Sequence, residues 1–284
     1  MQPKRVSLHD GRRLAYAVYG AEAGAPVVYC HGGLSSHSDL AFADARARDR
    51  GVRLIAIDRP GIGESGRATG RSVADWANDV GELTTLIGVD RFSVLGWSAG
   101  GPFALACAAG LATRVDRTAT VGGMAPLQGA QSADQLGLAM DRLLFPLCRR
   151  HPHRARLLLS LSKAAPSRVL HRQLLKALTS PADRSVVAAM TPAESTRDLK
   201  VAMRHGSMGV VDDYVVVGGE WRFRPEDVSG PVTMFQGDED LLLPMAHAES
   251  LAQRLPAGRL EVVQGAGHFL LHTHLHRVLD ALVA

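Results

Sequence analysis

Short apolar runs alternate with longer amphipathic segments in two parts of the chain, residues 26–121 and residues 232–283. Continuous apolar strands separated by helices are typical of a parallel sheet that helices cover on both faces. The pattern therefore predicts an α/β fold with a mostly parallel central sheet flanked by helices. The predicted strands lie at 26–30, 52–57, 92–95, 115–121, 232–235 and 260–263, and the predicted helices at 39–50, 72–87, 102–110, 245–254 and from the last strand to about 283.

The first residues of the chain have a different pattern. Residues 4–19 alternate between polar and apolar positions around Asp10-Gly11. Such an alternation around Asp-Gly predicts a β-hairpin with a type I′ turn.

Between the two alternating parts, the stretch 125–227 has the pattern of helices alone. Ser180-Pro181 and Thr191-Pro192 each place a capping residue before a proline, and Glu194 completes a capping box with Thr191. Gly206 can end the second of these helices. We therefore expect a core of residues 1–124 and 228–284 and an all-helical insertion of residues 125–227 between two strands of the same sheet.

Composition excludes several classes of protein. Hydrophobic residues make up 46% of the chain and charged residues 21%, which is ordinary for a globular protein. No apolar run is long enough to span a membrane, and we expect no secretory signal. Three cysteines do not suggest a disulfide framework, so we expect a cytoplasmic protein.

Positive charge is concentrated in one segment. Residues 142–184 contain ten Lys or Arg and one Asp. Phe145 is the only aromatic residue there, so nothing predicts a base-stacking platform and we expect no nucleic-acid partner. We interpret the segment as a solvated helical face, with attraction of an anionic substrate or lipid as the alternative.

A glycine-flanked serine provides the clearest chemical signal. Gly96-Trp97-Ser98-Ala99-Gly100 follows a predicted strand directly and precedes an apolar helix. A sharp strand-to-helix turn exposes the serine hydroxyl and needs small neighbours. We predict that Ser98 is a nucleophile.

A serine nucleophile needs a base and a group that orients the base. His268 follows the last predicted strand, and therefore lies at the carboxyl edge where Ser98 also lies. Asp238 and Asp240 follow the preceding strand, and either can serve as the acid. We assign Asp240, because it lies further along its loop and has more reach, and keep Asp238 as the alternative.

The tetrahedral intermediate of acyl transfer needs two N–H donors. The amide of Ala99 supplies one. His31-Gly32-Gly33 follows the predicted strand 26–30, where glycine allows a close approach of the backbone, and we choose Gly33 as the second donor.

Together these residues resemble the serine hydrolases of the α/β-hydrolase fold, an esterase- and lipase-like superfamily whose members often carry a helical lid. The resemblance covers residues 4–124 and 229–284 and implies the chain order Ser98, Asp240, His268 for the triad. The matching motifs are His31-Gly32-Gly33, the segment Asp58 to Ser65, Gly96 to Gly100, Gly237 to Asp240, and Gly267-His268.

The resemblance implies a cofactor-free carboxylic ester hydrolase that works through an acyl-enzyme on a small-molecule substrate. An aminopeptidase, a lactonase, a carbon–carbon bond hydrolase and a non-catalytic binding protein of this fold remain alternatives. Leu34 and Trp97 are predicted to line the substrate pocket, with packing under the lid as the alternative for Trp97.

Two other groups of polar residues receive structural interpretations. His272, His274 and His276 could form a zinc site, but we interpret them as exposed helix residues and expect no metal. Asp58 lies at the end of a predicted strand and could be a catalytic acid, but we interpret it as a turn-forming residue of the segment Asp-Arg-Pro-Gly.

Overall fold

An eight-stranded sheet forms the centre of the protein in a computed structural model that describes residues 2–128 and 131–283. The strand order is β1-β2-β4-β3-β5-β6-β7-β8. The two pairings that involve β2 are antiparallel, and all others are parallel, which confirms the predicted fold class. The strands are β1 (Lys4–Ser7), β2 (Arg13–Gly20), β3 (Ala25–Cys30), β4 (Val52–Ile57), β5 (Phe92–Trp97), β6 (Val115–Val121), β7 (Val232–Gly237) and β8 (Gly258–Val263).

Eleven α-helices accompany this sheet within the described ranges. They are α1 (Asp44–Asp49), α2 (Trp76–Leu86), α3 (Gly101–Gly110), α4 (Ala139–Arg150), α5 (Pro152–Ala164), α6 (Ser167–Ala177), α7 (Pro181–Ala188), α8 (Glu194–Ala202), α9 (Met208–Val217), α10 (Met245–Arg254) and α11 (Leu270–Val283). Helices α1 and α11 cover one face of the sheet, and α2, α3 and α10 cover the other.

The inner strands are buried on both faces. In β3, Val27 and Tyr29 pack in the cluster that contains α11, whereas Val28 and Cys30 pack in the cluster that contains α2 and α3. Both faces of the strand therefore need apolar side chains, which explains the uninterrupted apolar runs in the sequence.

Six helices, α4 to α9, lie between β6 and β7, and we call them the helical insertion. Ser180 Oγ accepts the N–H of Asp183 at the start of α7. The predicted capping box precedes α8: the Thr191 N–H donates to the Glu194 carboxylate at 2.8 Å, and the Glu194 N–H donates to Thr191 Oγ1 at 3.2 Å. Met1, Gly129, Ala130 and Ala284, which belong to the predicted core and insertion, lie outside the described residues.

The N-terminal hairpin forms, but the predicted turn type is wrong. Ser7 pairs with Arg13, and the Leu8 N–H donates to the Arg12 carbonyl at 2.8 Å. Gly11 has a φ of +82°, whereas Asp10 does not lie in the left-handed region. A type I′ turn needs both central residues there, and the three residues between Leu8 and Arg12 instead make a longer loop that needs only one.

The structure also bears on the expectations of no disulfide framework and no membrane-spanning helix. Cys30, Cys107 and Cys148 are buried free thiols. Within residues 2–128 and 131–283, no helix has both the length and the apolar character needed to cross a bilayer.

Candidate active site

Ser98 occupies a strained turn between β5 and α3. Its φ of +56° lies in the left-handed region, which is costly for a residue with a side chain. A Cβ on Gly96 would lie 2.6 Å from the Gly100 carbonyl oxygen, and one on Gly100 would lie 2.0 Å from that of Cys30. The backbones are too close for any side chain at either glycine, so the turn depends on both, while Ser98 stays partly accessible.

His268 and Asp240 form a buried hydrogen-bonded pair. His268 lies between β8 and α11, and its Nδ1 donates to Asp240 Oδ2 at 2.8 Å. The other oxygen of Asp240 accepts the N–H groups of Leu242 at 3.0 Å and Leu243 at 2.9 Å, and Gln236 Nε2 donates to Oδ2 at 3.1 Å. These bonds fix the carboxylate, and through it the imidazole plane.

The structure separates the two candidate acids. Among the described residues, Asp238 has no hydrogen bond to the imidazole; its carboxylate accepts the N–H of Gly265 at 2.7 Å and so joins the loops after β7 and β8. Asp240 is the residue that the structure brings to His268.

Opposing influences act on the imidazole of His268. Burial disfavours the charged ring and would lower the pKa, but the charge and hydrogen bond of Asp240, together with the charges of Asp183 and Asp141, outweigh it and raise the pKa of His268. The surroundings therefore stabilise an imidazolium, the form that a general base acquires during catalysis.

The sheet brings Ser98 to the same edge as this pair. Trp97 is opposite Val121 in the β5–β6 ladder, so Ser98 and Gly122 follow side by side. A Cβ on Gly122, whose φ is +50°, would lie 3.0 Å from His268 Nδ1. The imidazole therefore fits beside residue 122 because a glycine there has no side chain.

The glycine loop after β3 lies against the Ser98 turn. A Cβ on Gly32 would lie 3.7 Å from Ser98 Cβ, and one on Gly33 would lie 3.5 Å from Ala99 Cβ. Gly33 is exposed and Leu34 is half-buried. Leu34 has a φ of +54°, a strained conformation that the sequence did not indicate.

Trp97 is buried against the His268 loop. Its indole N–H donates to the His268 carbonyl oxygen at 3.1 Å. Its ring packs edge-on against Phe269, with centroids 5.5 Å apart, and against His272 at 5.8 Å. In this position the indole supports the backbone that carries His268.

Asp183 is a buried residue of the site that no sequence motif predicts. It belongs to α7, and its Oδ1 accepts the Phe269 N–H at 2.8 Å. A Cβ on Gly267 would lie 2.2 Å from Asp183 Oδ1, so the glycine before His268 makes room for this carboxylate. Asp183 is the only acidic residue in the segment 142–184, which contains ten basic residues. This isolated acid is the one sequence feature that could have indicated a special position for it.

Asp58 makes side-chain hydrogen bonds in addition to forming the turn. The turn is present, since the Ile62 N–H donates to the Arg59 carbonyl at 2.9 Å and Gly61 has a φ of +84°. The buried Asp58 carboxylate also accepts both the backbone N–H and the Nδ1–H of His37, at 2.7 and 2.8 Å.

His276 is exposed and His274 is half-buried, so the interpretation of the three C-terminal histidines as exposed helix residues is wrong for His274 and, more clearly, for His272. Its ring stacks on Phe42 with centroids 3.8 Å apart, and burial, followed by the charge of Arg46, lowers the pKa of His272 to about 4. His274 lies at a kink in α11. Across residues 2–128 and 131–283, no three His, Cys, Asp or Glu side chains form a group that could hold a metal ion.

The basic segment lines a cavity of about 570 Å³ in the helical insertion. Arg142, Arg149 and Arg150 contribute to its wall together with Tyr214. The Tyr214 hydroxyl donates to Asp141 at 2.5 Å, and Asp141 is one of the carboxylates whose charge acts on His268. The cavity wall therefore includes one tyrosine whose hydrogen-bonded partner, Asp141, acts electrostatically on His268.

Comparisons with known proteins identify the family and the fold. A family described as alpha/beta hydrolase fold matches residues 25–275. The putative carbamate hydrolase RutD of Cronobacter sakazakii is 26% identical over 248 residues, which cover 86% of this chain and 84% of that protein.

Two solved structures have the same fold. An esterase from Exiguobacterium antarcticum has a TM-score of 0.68 at 19% identity, covering 99% of this chain and 97% of that chain. A bromoperoxidase from Bacillus anthracis has a TM-score of 0.73 at 18% identity, covering 99% and 98%. The chain belongs to the alpha/beta hydrolase family, and its neighbours include esterases and other hydrolases.

Proposed function

We propose that this protein is a serine hydrolase of carboxylic esters in which Ser98 is the nucleophile, His268 the base and Asp240 the acid. The observation that carries the proposal is the 2.8 Å hydrogen bond from His268 Nδ1 to Asp240 Oδ2, at the sheet edge where Ser98 occupies its strained turn. A neutral imidazole held through Nδ1 leaves Nε2 available to accept a proton.

The proposed reaction has two halves. Ser98 Oγ attacks the acyl carbon and His268 Nε2 accepts its proton, which then passes to the leaving alcohol as the acyl-enzyme forms. His268 next activates a water molecule, whose attack releases the acid and restores Ser98. Asp240 stabilises the imidazolium in both halves without taking the proton.

The oxyanion of each tetrahedral intermediate is proposed to accept the N–H groups of Gly33 and Ala99. The 3.5 Å between Ala99 Cβ and the Cβ position of Gly33 supports this pairing, because it brings the two backbones together beside Ser98. Preorganised donors of this kind act only when charge develops on the oxygen, and removing one costs about 10²- to 10³-fold in kcat.

The helical insertion is proposed to act as a lid over a core of residues 1–124 and 228–284. Asp183 of α7 binds the Phe269 N–H, and Asp213 of α9 binds Arg59, so two of its helices reach loops of the site. We also propose that Leu34 lines the substrate pocket and that Trp97 contributes to it from beneath the His268 loop.

The test is a panel of small substrates, with p-nitrophenyl esters of increasing acyl length beside lactones, aminoacyl anilides and carbamates. We expect the esters to be hydrolysed fastest, without added metal, and the Ser98→Ala variant to be inactive. Faster hydrolysis of another substrate class would indicate a hydrolase of that type of bond. If no substrate is hydrolysed and a fluorophosphonate does not label the protein, the protein is a non-catalytic binding protein of this fold.

A further inference from the structure

Arg59 is fully buried and its guanidinium binds the backbone of the glycine loop. Nη1 donates to the carbonyl oxygen of His31 at 2.5 Å, and Nη2 donates to that of Gly32 at 2.9 Å. Nε and Nη2 also donate to Asp213 Oδ2, at 2.9 and 2.7 Å. One side chain from the turn after β4 thus joins the loop after β3 to helix α9 of the insertion.

The carbonyl of Gly32 has a second donor. His31 Nδ1 donates to it at 2.9 Å, and His31 Nε2 accepts the Arg59 backbone N–H at 3.3 Å. Burial, reinforced by the charge of Arg59, holds the pKa of His31 well below its usual range, so the neutral ring required by these two bonds is the stable one. Both lone pairs of the Gly32 oxygen are therefore in use.

The direction of one carbonyl fixes the direction of the next N–H. The peptide between Gly32 and Gly33 is trans, so its C=O and N–H point in opposite directions. With the Gly32 oxygen held at the buried guanidinium, the Gly33 N–H points to the accessible side of the loop, where Gly33 adjoins Ala99. Two consecutive glycines have wide torsional freedom, so this orientation needs an external restraint.

We propose that Arg59 is a positioning residue that orients the Gly33 N–H toward the substrate oxyanion, and that Asp213 makes this orientation depend on the docked helical insertion. The proposal rests on the proposed function, because it assigns Arg59 an effect on the oxyanion hole of that reaction. Arg59 does not touch the substrate; it acts through the peptide group of Gly32 and Gly33.

The surroundings of Arg59 keep the guanidinium rigid. Asp213 also binds Arg71. The Arg59 guanidinium stacks over the ring of Phe103, with its Cζ atom 4.5 Å from the ring centroid. Burial disfavours the ionised carboxylate, but the charges of Arg59 and Arg71 outweigh it and lower the pKa of Asp213 to about 2. The ion pair therefore persists over the whole range of pH in which the enzyme would be assayed.

Arg71 provides a matched control. It is nearly as buried as Arg59, binds the other oxygen of the same carboxylate and lies 5.8 Å from the same Phe103 ring. It has no hydrogen bond to the glycine loop among the described residues. Substitution of Arg71 therefore removes one ion pair with Asp213. Substitution of Arg59 removes the other ion pair with Asp213 together with the hydrogen bonds to the carbonyl groups of His31 and Gly32.

The experiment compares Arg59→Met, Arg59→Lys and Arg71→Met in the full chain. The measurements are kcat and KM on one p-nitrophenyl ester, the Ki of an aryl trifluoromethyl ketone that forms an oxyanion on serine, and the melting temperature. We expect about a 100-fold loss of kcat for Arg59→Met, as for a lost oxyanion donor, with KM changed less than threefold. Arg59→Lys should lose about tenfold, because an ammonium lacks the planar fork that spans the carbonyls and the carboxylate.

The Ki of the ketone should rise in proportion to each loss of kcat, since both depend on the oxyanion hole. Arg71→Met should lower the melting temperature and keep kcat within about threefold of wild type, in line with the absence of a bond to the loop. Equal losses of kcat in Arg59→Met and Arg71→Met would overturn the proposal, and so would an Arg59→Lys variant with wild-type kcat and Ki. If Arg59→Met does not fold, Arg59→Lys decides.

The wild-type protein separates the two proposals. If it hydrolyses the ester and binds the ketone, the proposed function stands and the variants test Arg59 alone. If it does neither, both proposals are overturned.

Discussion

Gly122 offers a sharp test of the site, because a single methyl group there would meet both His268 and Asp240. A Cβ at this position would lie 3.0 Å from His268 Nδ1 and 3.1 Å from Asp240 Oδ2. Gly122 also has a φ of +50°, which an alanine adopts only with strain. Gly122→Ala therefore changes both the backbone energy and the space around the imidazole.

The two effects have different magnitudes and different consequences. The left-handed conformation costs alanine about 1–2 kcal/mol, partly offset by about 0.4–1 kcal/mol from the stiffer unfolded chain. A net loss of about 1 kcal/mol lowers the melting temperature by roughly 2 °C in a chain of this size. Contacts near 3.0 Å require the neighbouring group to move by a few tenths of an ångström. Since a displacement of about 1 Å can cost 10²-fold, we expect kcat to fall about tenfold.

Gly88→Ala is the matched control. Gly88 has a φ of +71°, but a Cβ there would have no atom within 4 Å. Both variants should lose similar stability by thermal denaturation, and only Gly122→Ala should lose kcat in an assay with a p-nitrophenyl ester. Wild-type kcat in Gly122→Ala, or an equal loss in Gly88→Ala, would show that a methyl group at position 122 does not disturb His268.

Three further predictions use the same assay. Asp240→Asn should lower kcat by about 10⁴-fold by holding His268 in the wrong tautomer, and a loss below tenfold would contradict its assignment. Because the charge of Asp183 raises the pKa of His268 and the base must be neutral, kcat/KM should fall as the pH drops through that pKa. Asp183→Asn should move this fall to lower pH, and an unchanged profile would count against the coupling. Salt should reduce kcat/KM for esters that carry a carboxylate more than for neutral esters, because charge is screened over about 8 Å at 0.15 M. Charge reversal at Arg149 and Arg150 should remove this difference, and parallel salt responses would exclude steering.

Much of the fold follows from local sequence patterns. Strands buried on both faces need continuous apolar runs, and β4 and β6 accordingly have the predicted bounds. The turn at Ser98 also follows from local chemistry, since Gly96 and Gly100 lie too close to neighbouring backbone for any side chain.

The remaining features depend on contacts between distant segments. The sequence cannot indicate that Asp183 of α7 meets the His268 loop, or that Asp213 binds Arg59 across 154 positions of the chain. His272 was misjudged for the same reason, because its partner Phe42 belongs to another element. The hairpin turn was misjudged because Asp10-Gly11 fits more than one loop length.

The most direct test of Ser98 as the nucleophile is the mass of the intact protein after reaction with a fluorophosphonate, followed by peptide mapping. We expect one adduct per chain, on Ser98, with simultaneous loss of ester hydrolysis. Labelling should be much slower in His268→Ala and absent in Ser98→Ala. An adduct on another residue, or full esterase activity in Ser98→Ala, would show that Ser98 is not the nucleophile.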